Sequence, residues 1–271
     1  MTSLSTQATI RYLIPGPEKP VYFASEGGAS AQLNINAEFE DVQVNIHDAR
    51  ELDPPATLDH EGFQLHKHKS AIRNFYSIAS EKEIYQTELA ELVLPIVGAS
   101  SLFVFDHTLR SDSSEVREAK QTREAAAIIH NDYTNASARK RVRDLLEPDK
   151  AKARLLNRFA IINVWRSISG TVLRSPLCCC DAQSVNEKNV FASERVAKDR
   201  VGELELVSHN PAHKWYYYPE MQADEVLLIK TFDSATDGRA TRSIHTSFHN
   251  PLAPEDAPPR ESMESRMLVF F

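Results

Sequence analysis

From Ala160 to its end the chain is a succession of short apolar segments: "AIINVWRSI", "PLCCCDAQSV", "GELELVSH", "HKWYYYP", "DEVLLIKTFDS", "ATRSIHTSF" and "SRMLVFF". Gly170, Gly202, Gly238 and several prolines punctuate them. Many short strands with turn signals between them predict a sandwich or barrel. Residues 1–60 read as further short strands and turns, with "PVYFA" and "AEFEDVQVNIHDAR" as examples. Helical spacing follows over 77–97, where Ile84, Leu89, Leu92 and Val93 share roughly one face. A helix is also expected from near Ser70, and "NASARKRVRDLL" and "PDKAKARLLNRF" look helical. "SSLFVFDHTLR" reads as a buried strand and "SSEVREAKQTREA" as a loop or short helix. The expected class is α+β with a mainly β core. No linker divides the 271 residues, so one domain is expected, with strands and flanking helices over 1–125 and the β core over 126–271.

Composition excludes several classes of function. A net charge of −7 does not favour a nucleic-acid or membrane surface. The one basic cluster, "SARKRVRDLL", alternates with leucines and reads as a solvated helix face. No run of about 20 apolar residues is present, and "MTSLSTQATIRYL" lacks the basic start and apolar core of a secretory signal. Cys178, Cys179 and Cys180 are consecutive and cannot make a disulfide framework. They are expected to fill a buried strand in a cytoplasmic, reducing setting. The 8 glycines form no G-x-G-x-x-G and no phosphate-cradling loop, which argues against a nicotinamide dehydrogenase.

The chemistry concentrates in "AAIIHNDYT". Its apolar run reads as a strand that delivers His130 and Asp132, two apart and therefore on one face. An imidazole with a carboxylate suits a divalent first-row metal, and one more histidine completes the facial triad of non-haem iron oxygenases. Candidates for that third ligand are His209, His213, His245 and His249. His245 follows an alternating strand and is preferred. Pro211 breaks a helix between His209 and His213, which read as turn residues. His66 and His68 are flanked by lysines and read as a solvated strand edge. Beyond His245, Arg260 and Ser262 share a face; a guanidinium fork and a hydroxyl together can hold the distal carboxylate of a diacid. Arg266 is a rival for that role. Asp106 and His107 are adjacent, point apart on a strand, and read as supporting residues.

Several blocks resemble a known family: "FDHTLR", "HNDYT", "NVWRSI", "CDAQSV", "HNPAHKWYYYPEMQADEVLLIKTFDS", "HTSF" and "APPRESMESRMLVFF". Together they make the chain similar to the AsaB-like family, which takes in gibberellin desaturase-like and CmcJ-like proteins. The resemblance implies an Fe(II)/2-oxoglutarate-dependent oxygenase on a double-stranded β-helix (a cupin-like jelly roll) flanked by helices. It implies hydroxylation or desaturation of a small molecule in secondary metabolism, with O2 consumed and succinate and CO2 released. His130, Asp132 and His245 would then hold the iron, and Arg260 with Ser262, or Arg266, would hold 2-oxoglutarate. Asn163 shares a face with Trp165 and needs a polar partner, which the iron pocket could supply; Arg166 takes the opposite face. Trp165, Arg166, Trp215 and Tyr217 are expected around the substrate. A monomer or homodimer is expected, without nucleic-acid or membrane partners. The competing readings are a cupin-like metal enzyme that does not use 2-oxoglutarate and a catalytically idle partner subunit.

Overall fold

The computed structural model describes residues 5–271, so the first four residues of the N-terminal stretch lie outside it. Two sheets carry the fold. The larger has ten strands in the spatial order β1 (Thr6–Ile14), β4 (Glu38–Asp48), β12 (Trp215–Tyr217), β9 (Leu177–Cys180), β14 (His245–Ser247), β7 (His130–Asn131), β11 (Arg200–Val207), β10 (Val190–Ala197), β2 (Val21–Phe23) and β3 (Asn34–Asn36). The smaller has five, in the order β5 (Phe63–Lys67), β13 (Glu225–Asp233), β8 (Phe159–Ser167), β15 (Glu261–Phe270) and β6 (Ser101–Ser111). Four α-helices accompany them: α1 (Lys82–Val97), α2 (Ser114–Lys120), α3 (Asn135–Leu145) and α4 (Pro148–Leu155). Mainly β structure with flanking helices is therefore what the chain adopts.

The sequence pattern explains the layering. Strands β8 and β13 are buried at every residue, because both of their faces are covered. Ile162 and Val164 of β8, Val226 and Leu228 of β13 and Met263 and Met267 of β15 pack on Tyr85, Leu89 and Val93 of α1. A leucine buried as fully as Leu89 contributes roughly 1.5–3 kcal/mol. The alternate residues Trp165, Leu227 and Ile229 face the larger sheet and meet Leu177 and Cys179 there. Helix α1 stops at Gly98, whose φ of 66° is left-handed and whose N–H reaches the Leu94 carbonyl. The three cysteines are free and buried, with Cys178 and Cys180 in one apolar cluster and Cys179 in another. That is the small-filler role expected of a buried strand.

Local expectations failed in five places. On α1 Ile84 is exposed and Tyr85, not Ile84, joins Leu89 and Val93 on the buried face. Ala125–Ile129 is not a ladder strand; only His130 and Asn131 pair, with His245 and with β11. Ile128 instead spends its carbonyl on the His130 ring. No helix starts at Ser70, because Glu88 of α1 binds the Ser70 hydroxyl and the Ala71 N–H (2.6 and 2.7 Å) and holds the segment extended; 3-10 turns follow at Phe75–Ser80. Strand β6 is an edge strand, largely half-buried rather than buried. Strand β10 escaped notice because Ser193, Glu194 and Arg195 interrupt its apolar pattern. Among the described residues no helix is long and apolar enough to cross a membrane.

Candidate metal centre

The five residues from His130 each have a separate task. His130 pairs across the sheet with His245, and the two rings stand 4.4 Å apart between centroids. The side chain of Asn131 turns away, donating to the Tyr133 carbonyl at 2.8 Å and to Glu205 Oε2 at 2.9 Å. Asp132 returns to the histidine side, with Oδ1 3.6 Å from His130 Nε2. Tyr133 is buried in the cluster under α3 and α4. Thr134 caps α3: its hydroxyl accepts from the Ser137 N–H (3.1 Å), and the Ser137 hydroxyl accepts from the Thr134 N–H (3.0 Å). The cap fixes where the chain leaves the site.

The ligand atoms of His130, Asp132 and His245 all lie within 4.8 Å of one another. Their remaining atoms are already engaged. His130 Nδ1 is 2.8 Å from the Ile128 carbonyl, and His245 Nδ1 is 2.9 Å from the Ser243 carbonyl. A carbonyl only accepts, so both Nδ1 atoms carry the proton and both Nε2 lone pairs are left for a metal. Asp132 Oδ2 accepts from Asn163 Nδ2 at 2.7 Å and Arg266 Nε at 2.9 Å, which leaves Oδ1 for the same point. Two ligands at right angles around an ion, each about 2.1 Å from it, stand ~3 Å apart; the 3.6 Å gap needs only a small closure. Two imidazoles and a carboxylate on one side fit a divalent iron with open positions.

The electrostatics agree with ligation. Burial, reinforced by the neighbouring His245, pushes His130 down to about 3, so its ring is neutral at ordinary pH. Burial alone would raise the Asp132 carboxyl, but the Arg266 guanidinium outweighs it and holds the group well below the usual carboxylate range.

Residues 260, 262, 264 and 266 project from one face of the last strand, and they divide into two groups. Arg266 is largely committed: Nε to Asp132, Nη1 to Asp106 Oδ2 (2.7 Å) and Thr108 Oγ1 (3.0 Å), and Nη2 to Glu264. It braces Asp132 and keeps one of its five N–H donors, too few to grip a diacid's carboxylate bidentately. Arg260 is buried, donates Nη1 to the Ser175 carbonyl at 2.8 Å, and sits 5.8 Å over the Trp165 ring. Its Nε and the buried Ser262 hydroxyl have no hydrogen-bond partner among the described residues. Burial pushes Arg260 down to about 10, with Asp112 opposing. Two orphaned donors on one strand face are what the far carboxylate of 2-oxoglutarate requires.

The other expected residues are distributed as follows. Asn163 donates to both Asp132 and Glu264 (2.7 and 2.8 Å) and so positions a ligand. Trp165 shares its face and lies beside Arg260. Arg166 takes the opposite face, bonded to the His68 and Ala223 carbonyls. Trp215 and Tyr217 pack in the cluster under β1 and β4, where Trp215 Nε1 donates to Tyr12 Oη at 2.8 Å. None of Trp165, Arg166, Trp215 and Tyr217, expected around the substrate, lines the cavity at the metal centre. That cavity, of about 220 Å³, is lined by His130, Asp132 and Arg266 and by Tyr22, Leu33, Ile35 and Leu206. Glu264 went unnoticed in the sequence, although its spacing of two from Ser262 and Arg266 places it on the same face. His209 and His213 pack against Tyr12 as turn residues and are not among the ligand atoms grouped at the triad.

Comparison with known proteins gives the same reading. A family model described as an oxidoreductase/YMDC permease-like domain matches residues 10–270. The chain is 30% identical over 250 residues to hydroxylase/desaturase efuI of Hormonema carpetanum, covering 84% of this chain and 83% of that one. It is 32% identical over 258 residues to hydroxylase/desaturase CTB9 of Cercospora beticola, covering 88% and 79%. Among solved structures, the iron and alpha-ketoglutarate-dependent endoperoxidase NvfI superposes with a TM-score of 0.84 at 27% identity over 98% of each chain. With those relatives and this metal centre together, the chain belongs to the AsaB-like hydroxylase/desaturase family of Fe(II)/2-oxoglutarate-dependent oxygenases.

Proposed function

We propose that His130, Asp132 and His245 hold Fe(II), that Arg260 and Ser262 hold the distal carboxylate of 2-oxoglutarate, and that the enzyme hydroxylates or desaturates a small molecule of secondary metabolism. When bound, the iron and its co-substrate supply the oxidation: O2 is spent on converting 2-oxoglutarate to succinate and CO2 and on oxidising a substrate C–H bond. The protein's own contribution is positional. The Ile128 and Ser243 carbonyls hold each imidazole in the tautomer that presents Nε2. Asn163 and Arg266 turn the second oxygen of Asp132 away from the iron. Arg260 and Ser262 fix the diacid from behind, and the half-buried cavity limits water.

The path of the chain supports a double-stranded β-helix for this assignment, because from β7 onward it repeatedly crosses between the sheets: β8, β13 and β15 fall in the smaller, β7, β9 and β14 in the larger. One domain over the whole chain fits this path, since the N-terminal strands extend both sheets. The adjacent free thiols of residues 178–180 suit a reducing compartment such as the cytoplasm.

The observation that carries the reading is the pair of Nδ1–carbonyl contacts, which leave both Nε2 atoms beside Asp132 Oδ1. The test is anaerobic addition of Fe(II) and 2-oxoglutarate. A metal-to-ligand charge-transfer band is expected in the wild type. It is expected to vanish in His130→Ala, and in Arg260→Gln to need roughly ten- to a hundredfold more 2-oxoglutarate, the loss of one charge-assisted pair. Absence of the band in the wild type refutes the assignment.

A further inference from the structure

The cavity beside His130 and Asp132 has a charge that the chemistry at its floor does not use. Arg110 of β6, Arg123 from the segment between α2 and β7, Arg141 of α3, Arg195 of β10 and Arg200 of β11 all line it. Five separate elements deliver one guanidinium each, in a chain whose net charge is −7. The two carboxylates in the lining, Asp106 and Asp132, are both already bound by Arg266. Among the described residues, none of the five arginines forms an ion pair with a carboxylate. Arg110 donates only to the Glu124 carbonyl, at 2.9 Å. Arg141 lies 4.7 Å over the Phe105 ring, with its Nε buried and unpartnered. Arg195 lies 5.8 Å over Tyr22.

All five are half-buried, so their mutual repulsion is only partly screened. Burial and the adjacent guanidiniums draw Arg123 and Arg195 below the ordinary arginine range. Beside these charged groups the lining carries apolar side chains, among them Leu33, Ile35, Leu204 and Leu206. Arg260 and Ser262 are not part of this lining, so the diacid proposed there does not satisfy it.

We infer that the substrate is an anion: a small molecule with an apolar skeleton whose carboxylate or phosphate is gripped by the Arg123–Arg195–Arg200 side of the cavity, leaving a carbon of the skeleton over the metal centre. The inference rests on the oxygenase reading above. Arginine forks hold both oxyanions bidentately, and an entrance of this sign draws an anion in from solution.

The test uses the full chain loaded anaerobically with Fe(II) and saturating 2-oxoglutarate. The charge-transfer band is recorded first; its absence removes the oxygenase reading itself, independently of what the cavity binds. Nonanedioate, octyl phosphate and neutral dimethyl nonanedioate are then titrated by calorimetry at low and high salt. At least one of the two anions is expected to bind at least ~10-fold more tightly than the diester, with affinity falling at high salt. Which anion binds more tightly tells carboxylate from phosphate. Arg195→Gln and Arg200→Gln, each checked for a native melting transition, are expected to weaken the anion and leave the diester unchanged. Binding that is equal for anions and diester, no binding of either anion, or anion affinity unchanged in both variants overturns the proposal.

Discussion

Replacing Asn163 by leucine isolates the support behind Asp132, one of the proposed metal ligands. Leucine keeps the volume and removes the amide that donates to Asp132 at 2.7 Å and to Glu264 at 2.8 Å. A hydrogen bond to a charged acceptor contributes ~1.5–3 kcal/mol, or about a ten- to hundredfold change in an equilibrium constant. Arg266 Nε remains on the same Asp132 oxygen at 2.9 Å, so Asp132 stays ionised but loses half of its restraint. The lower part of that range is therefore expected, roughly tenfold weaker metal binding. The assay is anaerobic calorimetric titration of Fe(II) into the apo-protein, with circular dichroism to confirm the fold. Thr231→Val is the control: the Thr231 hydroxyl reaches Asn163 Oδ1 only at 3.4 Å, too long to fix the amide, and its removal is expected to leave metal affinity nearly unchanged. Wild-type affinity in a folded Asn163→Leu protein refutes the claim that this amide orients the ligand.

Two further outcomes follow from buried polar groups. Arg266→Met leaves Asp106, Asp132 and Glu264 without their shared cation; removing one partner from a buried ionic network costs about 3–5 kcal/mol, so the urea midpoint of the apo-protein is expected to fall sharply. His213 accepts at Nδ1 from Tyr12 Oη (3.1 Å), and burial, with His209 adding to it, holds it down at about 4 against an ordinary 6.5. The unfolded chain binds the proton first as pH drops, so this contribution is complete above about 6.5 and is lost between there and about 4. Melting curves across that window are expected to show a shallower acid decline in His213→Gln; an identical decline sinks the assignment.

How far the sequence could be read depended on the range of the interactions. The triad was legible because His130, Asp132 and His245 each sit in a short motif whose residue types have few other joint uses. That Arg260 and Ser262 share a face was legible from period two; that both keep an unpartnered donor was not. The choice between Arg260 and Arg266 was not, since it turns on Asp106 and Thr108, which arrive from β6 at the sheet edge. Trp215 and Tyr217 looked like pocket walls because a strand gives parity but not which layer lies opposite; here that layer is β1 and β4. The arginine cavity was invisible, as its members are scattered singly over residues 110–200 among ordinary charges. The "AAII" run misled because apolar residues packed into a core need not be laddered.

The centre of the larger sheet is its thinnest part. Strand β7 has two residues and β14 has three, and their one register pair is His130 with His245. The two segments meet each other at that one position, their other pairs going to β11 and β9, so an ion held by both rings, as proposed, would clasp sequence regions more than a hundred positions apart. On that proposal iron loading and the order of the sheet's middle are linked, and stripping the metal is expected to loosen the His130–His245 contact first.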